Sequence, residues 1–106
     1  MVSVEVKIPF TSEYESWVHS GIKTSTIRMK KLGKRGDTFR SKGVLYKLND
    51  VEWITLDYAM ELGFYKHEGF RSAAECVAAI QAIYPEVTPD TDVCLHLFQR
   101  CPEVVE

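Results

Sequence analysis

The chain opens on an alternation, Val2, Val4, Val6 and Ile8 on one side against Ser3, Glu5 and Lys7 on the other, which is the period of a half-buried strand. Pro9, with no amide hydrogen to give to a ladder, ends it. Ser12 and Glu15 have capping-box spacing, and Tyr14, Trp17 and Val18 recur at helical spacing until Gly21 provides a stop. After Gly21 the period returns to two, so Thr24, Thr26 and Arg28 share one face and Ser25, Ile27 and Met29 the other. Residues 30–37, with two glycines and four cations, predict an exposed loop turning at Gly36-Asp37. Strands are expected over 38–40 and 44–48, joined as a hairpin through Ser41-Lys42-Gly43. Asn49-Asp50 interrupts before a further strand over 51–56, in which Trp53 reads as core, with a base-stacking platform as the alternative.

Asp57 is placed to cap a short helix that runs through Leu62 and stops at Gly63. The segment 64–70 then interleaves aromatics with His67 and Glu68 in an expected loop. Ser72 and Glu75 repeat the capping-box spacing, and Ala73, Cys76, Val77, Ile80, Ile83 and Tyr84 give a helix with a broad apolar face, ended by Pro85. A last strand is predicted over 93–98, and the acidic tail from Pro102 is expected to fray. About six short strands with two or three helices predict one α+β domain over residues 1–106. Its sheet should close into a small barrel, because short hairpin-linked strands must hide their edges.

Composition narrows the class. With 45% hydrophobic and 26% charged residues the 106-residue chain falls among ordinary globular domains rather than disordered ones. No apolar run reaches the roughly 18 residues of a membrane span, and the N-terminus lacks the pattern of a secretory signal, so a cytoplasmic protein without membrane partners is expected. Cys76, Cys94 and Cys101 have no C-x-x-C spacing, which argues against a disulfide framework or a zinc ribbon. His19 and His96 lack ligand spacing as well, so neither a metal nor a cofactor is expected.

Charge changes the picture further, because the net value of -2 conceals an asymmetry. Between Gly21 and Lys47 stand nine basic residues and one acid, Asp37. Such a stretch makes either a solvated hairpin or a basic face that attracts phosphates. Within it, Lys23, two threonine hydroxyls and Arg28 can converge as an anion or nucleotide pocket, the alternative being a solvated edge strand. The expected ligand-binding set is Lys23, Thr24, Arg28, Lys30, Lys31, Lys34, Arg35 and Arg40, with RNA or a nucleoside or nucleotide as partner. His67, beside Glu68, is an alternative acid or base. Oligomeric state is left open.

Gly21-Ile22-Lys23 leading to Arg28, Gly36-Asp37 opening a strand, the Glu68-Gly69-Phe70 segment before a helix ending in Tyr84-Pro85, and a closing strand ending in Phe98 together resemble the ASCH domain. That resemblance implies a PUA-like barrel flanked by helices, with a cleft for RNA. One branch of the superfamily consists of small amidohydrolases that deacetylate N4-acetylcytidine through a lysine, a threonine and a glutamate, and Lys23, Thr26 and Glu68 stand at those places. The basic loop from Lys30 to Arg35, and a Glu68-to-Tyr84 spacing one residue longer, set this chain apart from those enzymes. The resemblance thus implies an RNA- or nucleoside-binding module, with the amidohydrolase as alternative; a third class, a protein-interaction adaptor, would instead be favoured by a large exposed apolar patch lacking cations around the cleft.

Overall fold

The computed structural model describes residues 4–102. Its sheet is built on the strand Asp92–Arg100, here β4, which pairs antiparallel with β1 (Ser25–Arg28) on one side and β3 (Val44–Thr55) on the other. The strand β2 (Thr38–Ser41) completes the order β1-β4-β3-β2. β4 is central because both of its faces are covered: Val93, Cys94, Leu95, His96 and Phe98 are all buried. The hairpin between β2 and β3 turns on Lys42-Gly43, both at positive φ (50° and 76°), the two-residue geometry that matches strand twist.

The described residues contain four strands rather than six, and two expectations are corrected. Residues 44–48 and 51–55 form one strand, because Asn49-Asp50 is absorbed as a bulge between Leu48 and Asp50 instead of breaking the ladder, while Leu56, expected at the strand's end, instead opens the following helix. The opening alternation makes only one parallel bridge, Glu5 to Thr38, with the Val6 N–H donating to the Thr38 carbonyl at 2.7 Å. Val4 is exposed while Val6 and Ile8 turn inward; Val2 and Ser3, like residues 103–106 of the expected tail, lie outside the described residues. The sheet is therefore a curled half-barrel within an α+β fold.

Among the described residues four helices flank it: α1 (Ser12–Ser20), α2 (Leu56–Glu61), α3 (Phe64–His67) and α4 (Ala73–Ile83). Thr11, not Ser12, caps α1, its hydroxyl accepting from the Tyr14 amide, and Thr55, not Asp57, caps α2 in the same way. Ser72 caps α4 as the spacing predicts. α3 is a single turn where a loop was expected. One core joins Ile27, Ile54, Val93 and Leu95 to α2 and to Cys76 and Ile80 of α4; the other stacks Phe39, Tyr46, Leu48 and Phe98 against Ile8 and Val18. Trp53 belongs to neither and is 53% exposed, against the core reading. Of β3, β2 pairs with residues 44–47 alone, so among the described residues the second half of β3 is a sheet edge open on its outer side.

Candidate functional site

The site is assembled where two tight turns meet. Gly21, at φ 85°, ends α1 in the left-handed conformation, and the Lys23 amide then donates to the Trp17 carbonyl, which fixes the approach to β1. From the other side of the chain, the Thr24 amide donates to the carbonyl of His67 and so ties the end of α3 to the start of β1. Gly69 follows at φ 96°, so close to Trp17 that a Cβ there would lie 2.9 Å from the indole Cε3. Only glycine fits both the backbone and the space, and the turn it makes aims Glu68 inward.

Glu68 is 4% exposed and holds three donors. Its Oε1 accepts from Lys23 Nζ and from the Ile27 amide, each at 3.1 Å, and its Oε2 accepts from the hydroxyl of Ser25. Lys23 is 5% exposed and its ammonium also stands 5.5 Å from the centre of the Tyr14 ring. Beside this ion pair lies Thr26, 3% exposed, whose Oγ1 accepts from Arg28 Nε at 2.8 Å. The same guanidinium donates through Nη2 to the Pro9 carbonyl at 2.6 Å and lies over the Phe10 ring. Burial lowers the Arg28 pKa, with Tyr84 and Glu68 opposing it. Burial also raises that of Tyr14, helped by the charges of Glu13 and Glu68. Cys76, next to the pair, is pushed up to about 12 by burial and then by Glu68, so its thiol stays protonated and serves as core.

Lys23, Thr26, Arg28 and Glu68 all line one cleft of about 210 Å³, walled by Phe10, Tyr14, Phe70 and Tyr84 with Ile27, Ile80 and Ile83. The rest of the expected ligand-binding set lies elsewhere. Thr24 bonds to Nδ1 of the exposed His67 at 3.0 Å, Lys30, Lys31, Lys34 and Arg35 are exposed on the loop before β2, and Arg40 pairs with Glu5 at 3.1 Å. Ser25 was not among the candidates. Its signal was a small hydroxyl at the start of the otherwise apolar Ser25, Ile27, Met29 face, where a polar residue needs a buried partner.

His96 is also a participant that spacing did not reveal. It is fully buried, its Nε2 accepts from the Leu32 amide at 3.0 Å, and Nδ1, 3.2 Å from the Thr26 carbonyl and 3.1 Å from that of Cys94, is by these partners the protonated nitrogen. It thereby fastens the basic loop to the strand that carries Thr26. Among the described residues no three His, Cys, Asp or Glu side chains gather as a metal site, and no helix is long and apolar enough to cross a membrane.

No family model matches the chain, nor does any curated protein sequence. Solved structures do. An ASCH domain from Lactobacillus crispatus JV V101 superposes with a TM-score of 0.70 at 12% identity, over 92% of this chain and 79% of that one. Protein EF3133 from Enterococcus faecalis V583, of the DUF984 family, gives 0.64 at 19% identity, over 95% and 77%. Hypothetical protein PH0355 gives 0.66 at 16%, over 93% and 97%. Likenesses of 19% identity or less are likenesses of architecture, and what they establish is that this chain has the ASCH-domain fold.

Proposed function

We propose that the cleft between α1, β1 and α4 binds the base of a nucleoside, nucleotide or RNA residue. The observation that carries this reading is the buried Lys23–Glu68 pair set beside Thr26 and Arg28 at the base of an aromatic-walled cleft. Burying an ion pair seldom improves stability over an apolar substitute, so a pair kept inside a cleft points to use. The rings of Phe10, Tyr14, Phe70 and Tyr84 line the cleft and supply aromatic surface for a planar group to pack against. Glu68 Oε2, with one donor against the two on Oε1, keeps capacity to accept from an exocyclic amine. A volume of about 210 Å³ lies below the roughly 300–1,000 Å³ of pockets for drug-sized ligands, which suits one base more than a stretch of polymer.

The second reading is amidohydrolysis of N4-acetylcytidine, favoured by the burial of Thr26 together with Lys23 and Glu68. Because Thr26 Oγ1 already accepts from Arg28, its own hydrogen is free to leave, and the guanidinium is positioned to stabilise the alkoxide that results. For Lys23 to take that proton, its ammonium first passes one across the 3.1 Å contact to Glu68. Attack on the acetyl carbon then expels cytidine as the C–N bond breaks, and the protonated Glu68 supplies the hydrogen to the departing amine. Water would release acetate from Thr26 and restore the starting state. Incubation with N4-acetylcytidine followed by chromatography for cytidine, alongside a calorimetric titration with cytidine, tests both readings. Product supports the enzyme, saturable heat without product supports the binding module, and absence of both removes the cleft as a nucleoside site.

A further inference from the structure

Four exposed cations and an exposed tryptophan take no part in the cleft, yet the loop that carries the cations lies over the face of the sheet to which Trp53 belongs. Arg28 stands opposite Cys94 in the β1–β4 ladder, and Cys94 stands opposite Trp53 in the β4–β3 ladder, so the three form one row. At about 4.8 Å per strand, that row carries the backbone from the edge of the cleft to Trp53 in about 10 Å. The loop of residues 30–35 lies on this face, since the Leu32 amide donates to His96, two residues along β4 from Cys94. Lys31 reaches the same neighbourhood. Burial raises the Cys94 pKa while the Lys31 charge opposes it, and Lys31 also adds to the burial that lowers His96.

The charge of the loop is only partly offset locally, since Asp37 feels Lys34 and Lys31 but brings one negative charge against four positive ones. Asp37, the one acid in the basic stretch, is buried with its carboxylate accepting from the Val4 and Lys34 amides, and Glu5 is taken by Arg40. Among the described residues Lys30, Lys31, Lys34 and Arg35 form no ion pair. On this face the nearest acid by register is Asp92, opposite Thr55, one step beyond Trp53; the exposed Glu52 beside Trp53 is opposite Leu95 and belongs to the other face. Cations ahead of an exposed indole, with one carboxylate behind it, match a chain of phosphates carrying planar bases rather than an acidic peptide, which offers no ring to stack.

We propose that this face is a second binding surface, for single-stranded nucleic acid, with phosphates on Lys30, Lys31, Lys34 and Arg35 and one base stacked on Trp53. It needs no chemistry in the cleft, and it extends the path of a strand whose terminal base occupies that cleft. The stack accepts any base because every base has a π face, so the surface supplies affinity and leaves selection to the cleft.

Fluorescence anisotropy with labelled oligouridylate and oligothymidylate of about 10 nucleotides tests this directly. The parent protein should bind with a log-log salt slope near -3, from about -0.7 per phosphate neutralised by four cations. Trp53→Ala should weaken binding about 5- to 100-fold with the slope unchanged, while Trp53→Phe retains most of it. The double variant Lys31→Ala/Lys34→Ala should make the slope shallower by about 1.4. Calorimetric binding of cytidine should stay at the parent value in all three, which separates failure here from failure of the cleft. The comparison of the two oligonucleotides identifies the preferred sugar. A parent that binds neither strand at low salt, or a Trp53→Ala variant that binds both like the parent, overturns the proposal. Loss with Lys23→Met but not with Trp53→Ala moves the strand to the cleft and also overturns it.

Discussion

Glu68 is held by an ammonium, a hydroxyl and an amide in a nearly closed setting, so the cost of removing any one depends on what it leaves behind. Lys23→Met keeps the apolar stem but strands a buried carboxylate, which typically costs about 3–5 kcal/mol. We therefore expect urea unfolding to show a folded but much weakened protein, with Lys23→Met/Glu68→Gln recovering part of the loss. Equal stability of the single and double variants would mean that the pair is not coupled. Thr26→Val removes an acceptor from the half-buried Arg28 and should cost only about 1 kcal/mol. If the cleft is an amidohydrolase, the same change lowers turnover of N4-acetylcytidine by orders of magnitude, and activity surviving it would exclude Thr26 as nucleophile. These residues were legible in the sequence as far as their types and alternation allowed. Thr26 and Arg28 stood out as polar positions on a strand, whereas Ser25 looked like part of an apolar face. That Glu68 sits over that face, 43 residues away in sequence, is a tertiary fact that alternation does not carry.

At the scale of elements, two anchors hold the basic loop, and both titrate. Burial lowers the folded pKa of His96 below its ordinary value near 6.5, so on acidification the unfolded chain takes up its proton first. Its contribution to stability is complete above about 6.5 and is lost as pH falls from there through the lower folded pKa. Asp37 is held below its usual range by the Lys34 and Val4 amides, so its contribution is complete above about 3.8 and is lost as pH falls further. Urea midpoints should therefore begin to drop as pH falls below about 6.5, and His96→Gln should flatten that first drop from a lower starting value. An unchanged profile in the variant would assign the drop to another group. The turn before α4 makes a separate claim: Gly69→Ala must shift Trp17 and adopt a strained φ, so it should destabilise by about 1–3 kcal/mol and weaken cytidine binding with it. Helices and turns with local signals were readable, as Ser72 before α4 and Lys42-Gly43 between β2 and β3 illustrate. Asn49-Asp50 misled because turn-forming residues also make bulges, and only the partner strand decides between the two.

For the molecule as a whole, the half-barrel packs a helical core on one face and an aromatic core on the other, and β1 is the edge at which both come together. The cleft lies at that edge, where an open barrel leaves polar side chains reachable between two rigid cores. Trp53 marks the opposite edge, and its exposure follows from the shortness of β2, which no periodicity in β3 announces. The most direct test of the central claim is a titration of isotope-labelled protein with cytidine, followed by nuclear magnetic resonance. Binding in the cleft should give saturable shifts at the Thr26 and Ile27 amides, the Ile80 and Ile83 methyls and the Tyr14 and Tyr84 rings, with the Trp53 indole unmoved. Shifts gathered instead at the smaller hollow lined by His19, Tyr46 and Arg100, or no saturable shift at any residue of the cleft, would contradict it.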